Sequence, residues 1–166
     1  FAAGDVAGLR MVVHHAHIEA GIAAENACKD GDRVWTKRSN IEVIFSDPEF
    51  AFAGCTPDAA AREGCELVTA SAESRDIGKL HLAGDDFGFG EFWAEKKSGR
   101  LVSAGLLCQD ASNLIHLPAY AIDHAHTIHE LADAEFYHPT KMEIVSEIGD
   151  TLCRKLGGHP FARASE

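Results

Sequence analysis

A chain of 166 residues with 46% hydrophobic side chains has the length and apolar content to close one domain around a sizeable core. Fifteen Lys and Arg against 26 Asp and Glu leave a formal charge of −11, which disfavours nucleic acid and anionic membrane surfaces as partners. No apolar run reaches the roughly 18 residues of a membrane span, and no basic-then-apolar signal segment opens the chain, so the sequence predicts a soluble, cytoplasmic protein.

Gly4 and Asp5 form a turn by composition. Beyond them Met11, Ala16, Ile18, Ile22 and Ala23 recur near helical spacing and the pattern stops before Gly31, which predicts a helix over residues 9–28. Residues 29–40 are polar and Gly-containing and read as a connector. They divide the chain into a leading helical segment, 1–40, and a domain over 41–166. From Ile41 the period changes to two: Ile41, Val43 and Phe45 alternate with Glu42, Ile44 and Ser46. Phe89–Glu95 and Leu101–Cys108, joined through Ser98 and Gly99, read as a hairpin. Asp110 suits the N-cap of a helix carrying Leu114, Ile115, Leu117 and Ile122, which Pro118 must kink or split. A short helix is expected near Thr127. The last helix sets Val145, Ile148, Leu152 and Leu156 on one stripe and closes with Gly157 at C′. The predicted fold class is α+β, an antiparallel sheet with helices packed on one face.

Five cysteines, an odd number with no C-x-x-C spacing, argue against a disulfide framework. Cys55, Cys65 and Cys108 fall in apolar or strand-like surroundings and are expected to pack as small hydrophobes. His14, His15 and His17, then His124, His126 and His129, include pairs at helical spacing that could ligate a metal. No cysteine or carboxylate stands beside them at a recognised ligand spacing, so no metal site is predicted and a His-rich metal-binding protein is disfavoured.

The most informative stretch is Phe136-Tyr137-His138-Pro139-Thr140-Lys141-Met142-Glu143. Proline restrains its own φ and the residue before it, so His138 projects from a stiff corner as a helix begins. Glu143 sits where its carboxylate can accept a hydrogen bond from one ring nitrogen, fixing the tautomer and stabilising the imidazolium. His138 is then a candidate general base and Glu143 its orienter. The plainer alternative is a loop-to-helix start with a favourable charge at the helix N-terminus.

In order along the chain, Ala3-Gly4-Asp5-Val6, Phe45-Ser46-Asp47-Pro48-Glu49-Phe50, Gly99-Arg100-Leu101, Ala111-Ser112-Asn113-Leu114-Ile115 and His138-Pro139-Thr140 with Glu143 make it resemble one family. That family is the FAD-dependent pyridine nucleotide-disulfide oxidoreductases, and the likeness is to the C-terminal, dimerising part of its dihydrolipoamide dehydrogenase branch. The resemblance implies that His138 is the base acting on a dithiol and Glu143 its orienter. It also implies that Asp5, in the turn opened by Gly4, contacts the sugar-alcohol hydroxyls of FAD. The first helical turn, with Met11, Val13 and His14, would offer backbone N–H groups to the flavin.

The same resemblance implies a homodimer, NAD or NADP as electron partner, and a dithiol or disulfide substrate, with a lipoyl-bearing protein as the candidate. The departures are Lys141-Met142, where the family has small or aliphatic residues, Pro118 within a helix, and the absence of both G-x-G-x-x-G and C-x4-C. With no initiator Met and a start inside the family's FAD domain, the chain reads as a fragment: residues 1–40 as the end of that domain, inactive and flavin-free on its own. A cysteine-free tail disfavours a mercuric-reductase-like relative. A non-catalytic dimerisation module, or the same domain of a glutathione-reductase or transhydrogenase-like relative, is the alternative.

Overall fold

The computed structural model describes residues 1–8, 10–36 and 39–159, which fall into two units, Phe1–Lys37 and Arg38–Glu166. In the first, Gly4 and Gly8 take positive φ on either side of a 3-10 turn, Asp5–Ala7. Helix α1, Val13–Lys29, begins later than its apolar spacing suggests: Val12 is extended at the N-cap and Met11 precedes the helix, so Met11 is not part of its first turn. At the other end Asn26 holds the chain that follows. Its side chain donates from Nδ2 to the Arg33 carbonyl at 2.9 Å and accepts from the Arg33 N–H at 3.0 Å. Trp35 packs edge-on to the buried His15, ring centroids 4.3 Å apart.

The second unit is built on five antiparallel strands, β1 Glu42–Ile44, β2 Glu49–Gly54, β3 Leu67–Glu73, β4 Phe89–Glu95 and β5 Leu101–Cys108, in the order β1-β2-β5-β4-β3. The register puts Ala51, Leu106, Gly90 and Ala72 in one row, and Ala53, Ala104, Phe92 and Ala70 in the next. Because side chains alternate along a strand, both rows lie on one face, and they are buried. That face carries α4 Ala111–Leu114 and α5 His116–Asp123 over β2 and β5, and α7 Glu143–Lys155 over β3 and β4. Short helices α2 Pro57–Arg62, α3 Gly78–Ala83 and α6 Ile128–Ala132 complete the connections. The α+β class, the Phe89–Glu95/Leu101–Cys108 hairpin and the helices on one face are as the sequence predicts.

Small residues in the sheet set how closely α7 can lie. A side chain added at Gly90 would bring its Cβ within 2.6 Å of Ile148 Cδ1 and 2.7 Å of Leu106 Cδ2. The stripe expected on the last helix is the buried one, since Val145, Ile148 and Leu152 are fully enclosed and Leu156 packs at the edge. Gly157, with φ of 80°, follows it. Thr127 caps α6 in a full capping box with Glu130.

Three local expectations change, and one split is as expected. Phe45 lies beyond the end of β1 and is exposed. Asp110 occupies the N-cap place of α4 but in the left-handed region, φ 63°, and makes no side-chain cap bond. The helix expected there is split, as Pro118 requires; the division falls at Ile115, so that Pro118 lies in the first turn of α5, where missing N–H partners are normal. Cys55 is exposed and Cys65 half-buried, because both flank the short α2 at the end of the sheet; of the three cysteines expected in the interior only Cys108 is buried.

Truncating Ile148 to Ala would open a cavity between α7 and β4. It is expected to lower the unfolding free energy by about 2–5 kcal/mol, while Glu147→Ala on the exposed face of the same helix should stay within about 0.5 kcal/mol of the parent. Urea unfolding of the two variants checks the contrast.

Candidate active site

Between α6 and α7 the chain runs as an irregular loop whose last residues fold back on the start of α7. Glu143 is the first residue of that helix, and acidic side chains are favoured there by the unpaired N–H groups and the helix dipole. Its two carboxylate oxygens do different work. Oε1 accepts the Thr140 N–H at 2.6 Å, and Oε2 lies 3.1 Å from His138 Nδ1. Thr140 Oγ1 donates to the Tyr137 carbonyl at 2.9 Å, closing the turn from the other side. The His138-Pro139 bond is cis.

This arrangement dictates the imidazole's tautomer. A carboxylate only accepts, so Nδ1 carries the proton and Nε2 the lone pair. Among the described residues Nε2 has no hydrogen-bond partner, and the His138 side chain is 79% exposed against 23% for Glu143. The group can therefore take a proton at Nε2 while Glu143 balances the charge that forms. The sequence spacing brings His138 and Glu143 together as expected.

Beside this turn the structure places a contact that sequence reasoning missed. Lys141 Nζ lies 2.8 Å from Asp110 Oδ2 and 2.9 Å from Asp85 Oδ2. The hydrogen bonds that Lys141 donates, first to Asp110 and then to Asp85, raise the lysine above its ordinary value, with burial opposing them. Nothing in the spacing of these three residues signals the contact, because they belong to separate segments that only the sheet brings together.

The remaining candidates lie in the first unit. Asp5 is an exposed residue opening the 3-10 turn, and the Gly4 N–H donates to Glu19 Oε2 at 2.7 Å. Met11, Val13 and His14 are exposed around the start of α1, which no side chain caps. The second histidine group is engaged locally: His124 stacks on Tyr120 at 4.0 Å, His126 pairs with Glu130 at 3.3 Å, and His129 Nδ1 lies 3.1 Å from Cys153 Sγ. Among the described residues no three His, Cys, Asp or Glu side chains gather as a metal-binding group.

A cavity of about 560 Å³ at the end of the sheet is lined by Cys55, Cys65, Glu95, Arg100 and Val102 among others. Burial, then the nearby Glu95 and Cys55, push the Cys65 thiol up. Burial pushes Cys108 up to about 12, and burial followed by Asp133 raises Cys153. Cys28 and Cys55 are exposed, and they are expected to react first with Ellman's reagent at mildly alkaline pH. Cys65 should follow slowly, and Cys108 and Cys153 only after denaturant is added; peptide mapping of the labelled chain reads the order.

Residues 41–148 match the family described as the pyridine nucleotide-disulphide oxidoreductase dimerisation domain, and the chain belongs to that family. Among its relatives, dihydrolipoyl dehydrogenase of Halobacterium salinarum is 31% identical over 150 residues, covering 90% of this chain and 31% of the relative. Dihydrolipoyl dehydrogenase of Mycobacterium tuberculosis is 31% identical over 148 residues, covering 89% and 32%. The chain thus spans about a third of the length of the curated relatives it matches.

Two solved structures share the fold. The crystal structure of LpdA from Mycobacterium tuberculosis superposes with a TM-score of 0.83 at 23% identity, over 92% of this chain and 33% of that one. The HOCl-induced flavoprotein disulfide reductase RclA from Escherichia coli gives 0.83 at 21% identity, over 90% and 34%. No described helix is long and apolar enough to cross a membrane.

Proposed function

We propose that this chain is the dimer-forming part of a longer FAD-dependent dithiol–disulfide oxidoreductase, with His138 as its general base and Glu143 as the orienter of that base. Residues 1–40 then belong to the FAD-binding domain and 41–166 to the dimer domain. The observation that carries the reading is the division of the Glu143 carboxylate between the Thr140 N–H and His138 Nδ1, which leaves Nε2 open. His138 Nε2 removes a proton from a substrate thiol; the thiolate attacks a redox disulfide carried elsewhere in the polypeptide, that S–S bond breaks, and the leaving sulfur departs as a thiolate. The names of the relatives favour dihydrolipoyl groups, borne on a protein, as the substrate.

The first unit fits the cofactor this reading requires. Asp5 offers an exposed carboxylate to hydroxyl groups, with Gly4 keeping the turn open, and the uncapped start of α1 around Met11, Val13 and His14 leaves N–H groups suited to an electron-rich ring. FAD bound there would supply two-electron transfer between the dithiol and NAD or NADP. Five free cysteines suit a reducing compartment, the cytoplasm.

In the complete flavoenzyme, His138→Ala is expected to lower turnover by about 10² to 10⁴, and Glu143→Gln by less, because the base survives without its orienter. Steady-state kinetics at saturating substrate measure both. Full activity in His138→Ala would reduce the loop to a helix start and favour a non-catalytic dimerisation module. The chain itself is expected to form a homodimer, for which its family is named. Sedimentation at micromolar concentration that shows only monomer would count against the assignment.

A further inference from the structure

Within the loop that carries His138, the hydrogen bonds described so far are local: Glu143 to Thr140 and His138, and Thr140 to Tyr137. The end of the turn is bonded into α7, where the N–H groups of the buried Ile144 and Val145 donate to the Lys141 and Met142 carbonyls. Two further things tie it down. Phe136 and Met142 pack on the core, fixing its depth. Lys141 fixes its direction, because its ammonium reaches two carboxylates from two other segments.

Those carboxylates are themselves placed. Asp85 follows α3, where its N–H donates to the Leu80 carbonyl at 2.9 Å, and Leu80 is fully buried. Asp110 opens α4, and the N–H groups of Asn113 and Leu114 both donate to its carbonyl. An aspartate at that position ordinarily caps its own helix with its side chain. Here the side chain makes no cap bond and turns to Lys141 instead, from a left-handed backbone at φ 63°. Three segments of chain therefore converge on one ammonium that is only 25% exposed, facing an Asp85 that is 21% exposed. An isolated surface pair contributes little. Removing this cation does more than delete a pair, since it leaves two carboxylates facing each other across the base of the loop.

We propose that Lys141 is a positioning residue for His138: the Asp85–Lys141–Asp110 latch fixes the turn over residues 137–143 and with it the direction in which His138 Nε2 points. The geometric claim stands by itself, while its consequence for turnover rests on the reading of His138 as the base. Lys141 touches neither substrate nor reacting atoms in this scheme. It acts through the loop.

Nitrogen-15 NMR of histidine-labelled chain tests the geometry. In its neutral form the His138 of the parent should show a protonated Nδ1 and a free Nε2. Lys141→Met should move both shifts toward the averaged pattern of an unrestrained imidazole, with Lys141→Arg restoring much of the difference and the other histidines unmoved. Asp85→Asn, which leaves the ammonium one carboxylate, should give a smaller change in the same sense and serves if Lys141→Met does not fold. In the complete flavoenzyme, Lys141→Met should lower kcat by roughly tenfold with KM little altered, as for a misaimed base.

An unchanged His138 pattern in folded Lys141→Met, or in Asp85→Asn if that variant must stand in, overturns the latch whatever the activity does. A shifted pattern, together with full activity of both Lys141→Met and His138→Ala, supports the latch and overturns the reading of His138 as the base.

Discussion

The carboxylate of Glu143 joins the fold to the chemistry. One oxygen accepts a backbone N–H from Thr140 and the other accepts from His138 Nδ1, so the group that starts α7 also sets the tautomer of the imidazole. The two tasks are coupled through the helix. A bond to the backbone at a helix start is worth about 1 kcal/mol, too little to place thirteen residues of helix. Burial of an aliphatic side chain is worth about 1.5–3 kcal/mol, and Ile144, Val145, Ile148 and Leu152 are all fully buried. Packing therefore decides where α7 lies, and Glu143 converts that position into the aim of a side chain.

What α7 packs on explains why the aim can be held. The helix-facing rows of the sheet are mostly alanine, with Gly90 under Ile148 and beside Leu106 of β5. Small residues let the helix approach closely, and a close-packed interface has few alternative arrangements. The large apolar residues of β2, Phe50 and Phe52, point the other way. The opposite face of the sheet, which also presents Phe89 and Leu107 in register with Phe50, carries larger apolar side chains among polar ones such as Glu73 and Glu91 and is the less covered. A sheet arranged in this way has a thin, specific interior on one side and retains apolar surface on the other, which suits a domain that functions in an assembly.

That arrangement also explains which parts of the fold could be read from the residues. The stripe of α7 was legible because Val145, Ile148, Leu152 and Leu156 contrast sharply with the charged residues between them. The β4–β5 hairpin was legible because Gly99 marks a turn between two largely apolar arms. Strands β2 and β3 were not, since their buried positions are Ala51, Ala53, Ala70 and Ala72, and alanine carries neither strand preference nor size contrast. Helices α2 and α3, six residues each, are too short to show a period. In the site, His138 and Glu143 were legible because five residues of separation across a proline bring them together locally. Asp85 and Asp110 were not: their meeting with Lys141 depends on the sheet, and Asp110 looked like an ordinary helix cap.

Exposure changes along the proposed proton path in a consistent direction. Glu143 is largely enclosed, His138 stands out in solvent, and Tyr137 and Pro139 on either side of it are exposed as well. A carboxylate orients best when water does not compete for its oxygens, so the buried end of the pair is finished within this domain. A base transfers protons most effectively when its lone pair faces substrate in a water-excluded site, and the open end of the pair is not finished here. On the proposed reading of His138 as the base, the wall that closes it comes from another surface. In a domain whose family is defined by dimerisation, an imidazole that is oriented from below by Glu143 yet uncovered above is the half of a site that would be expected to close on assembly.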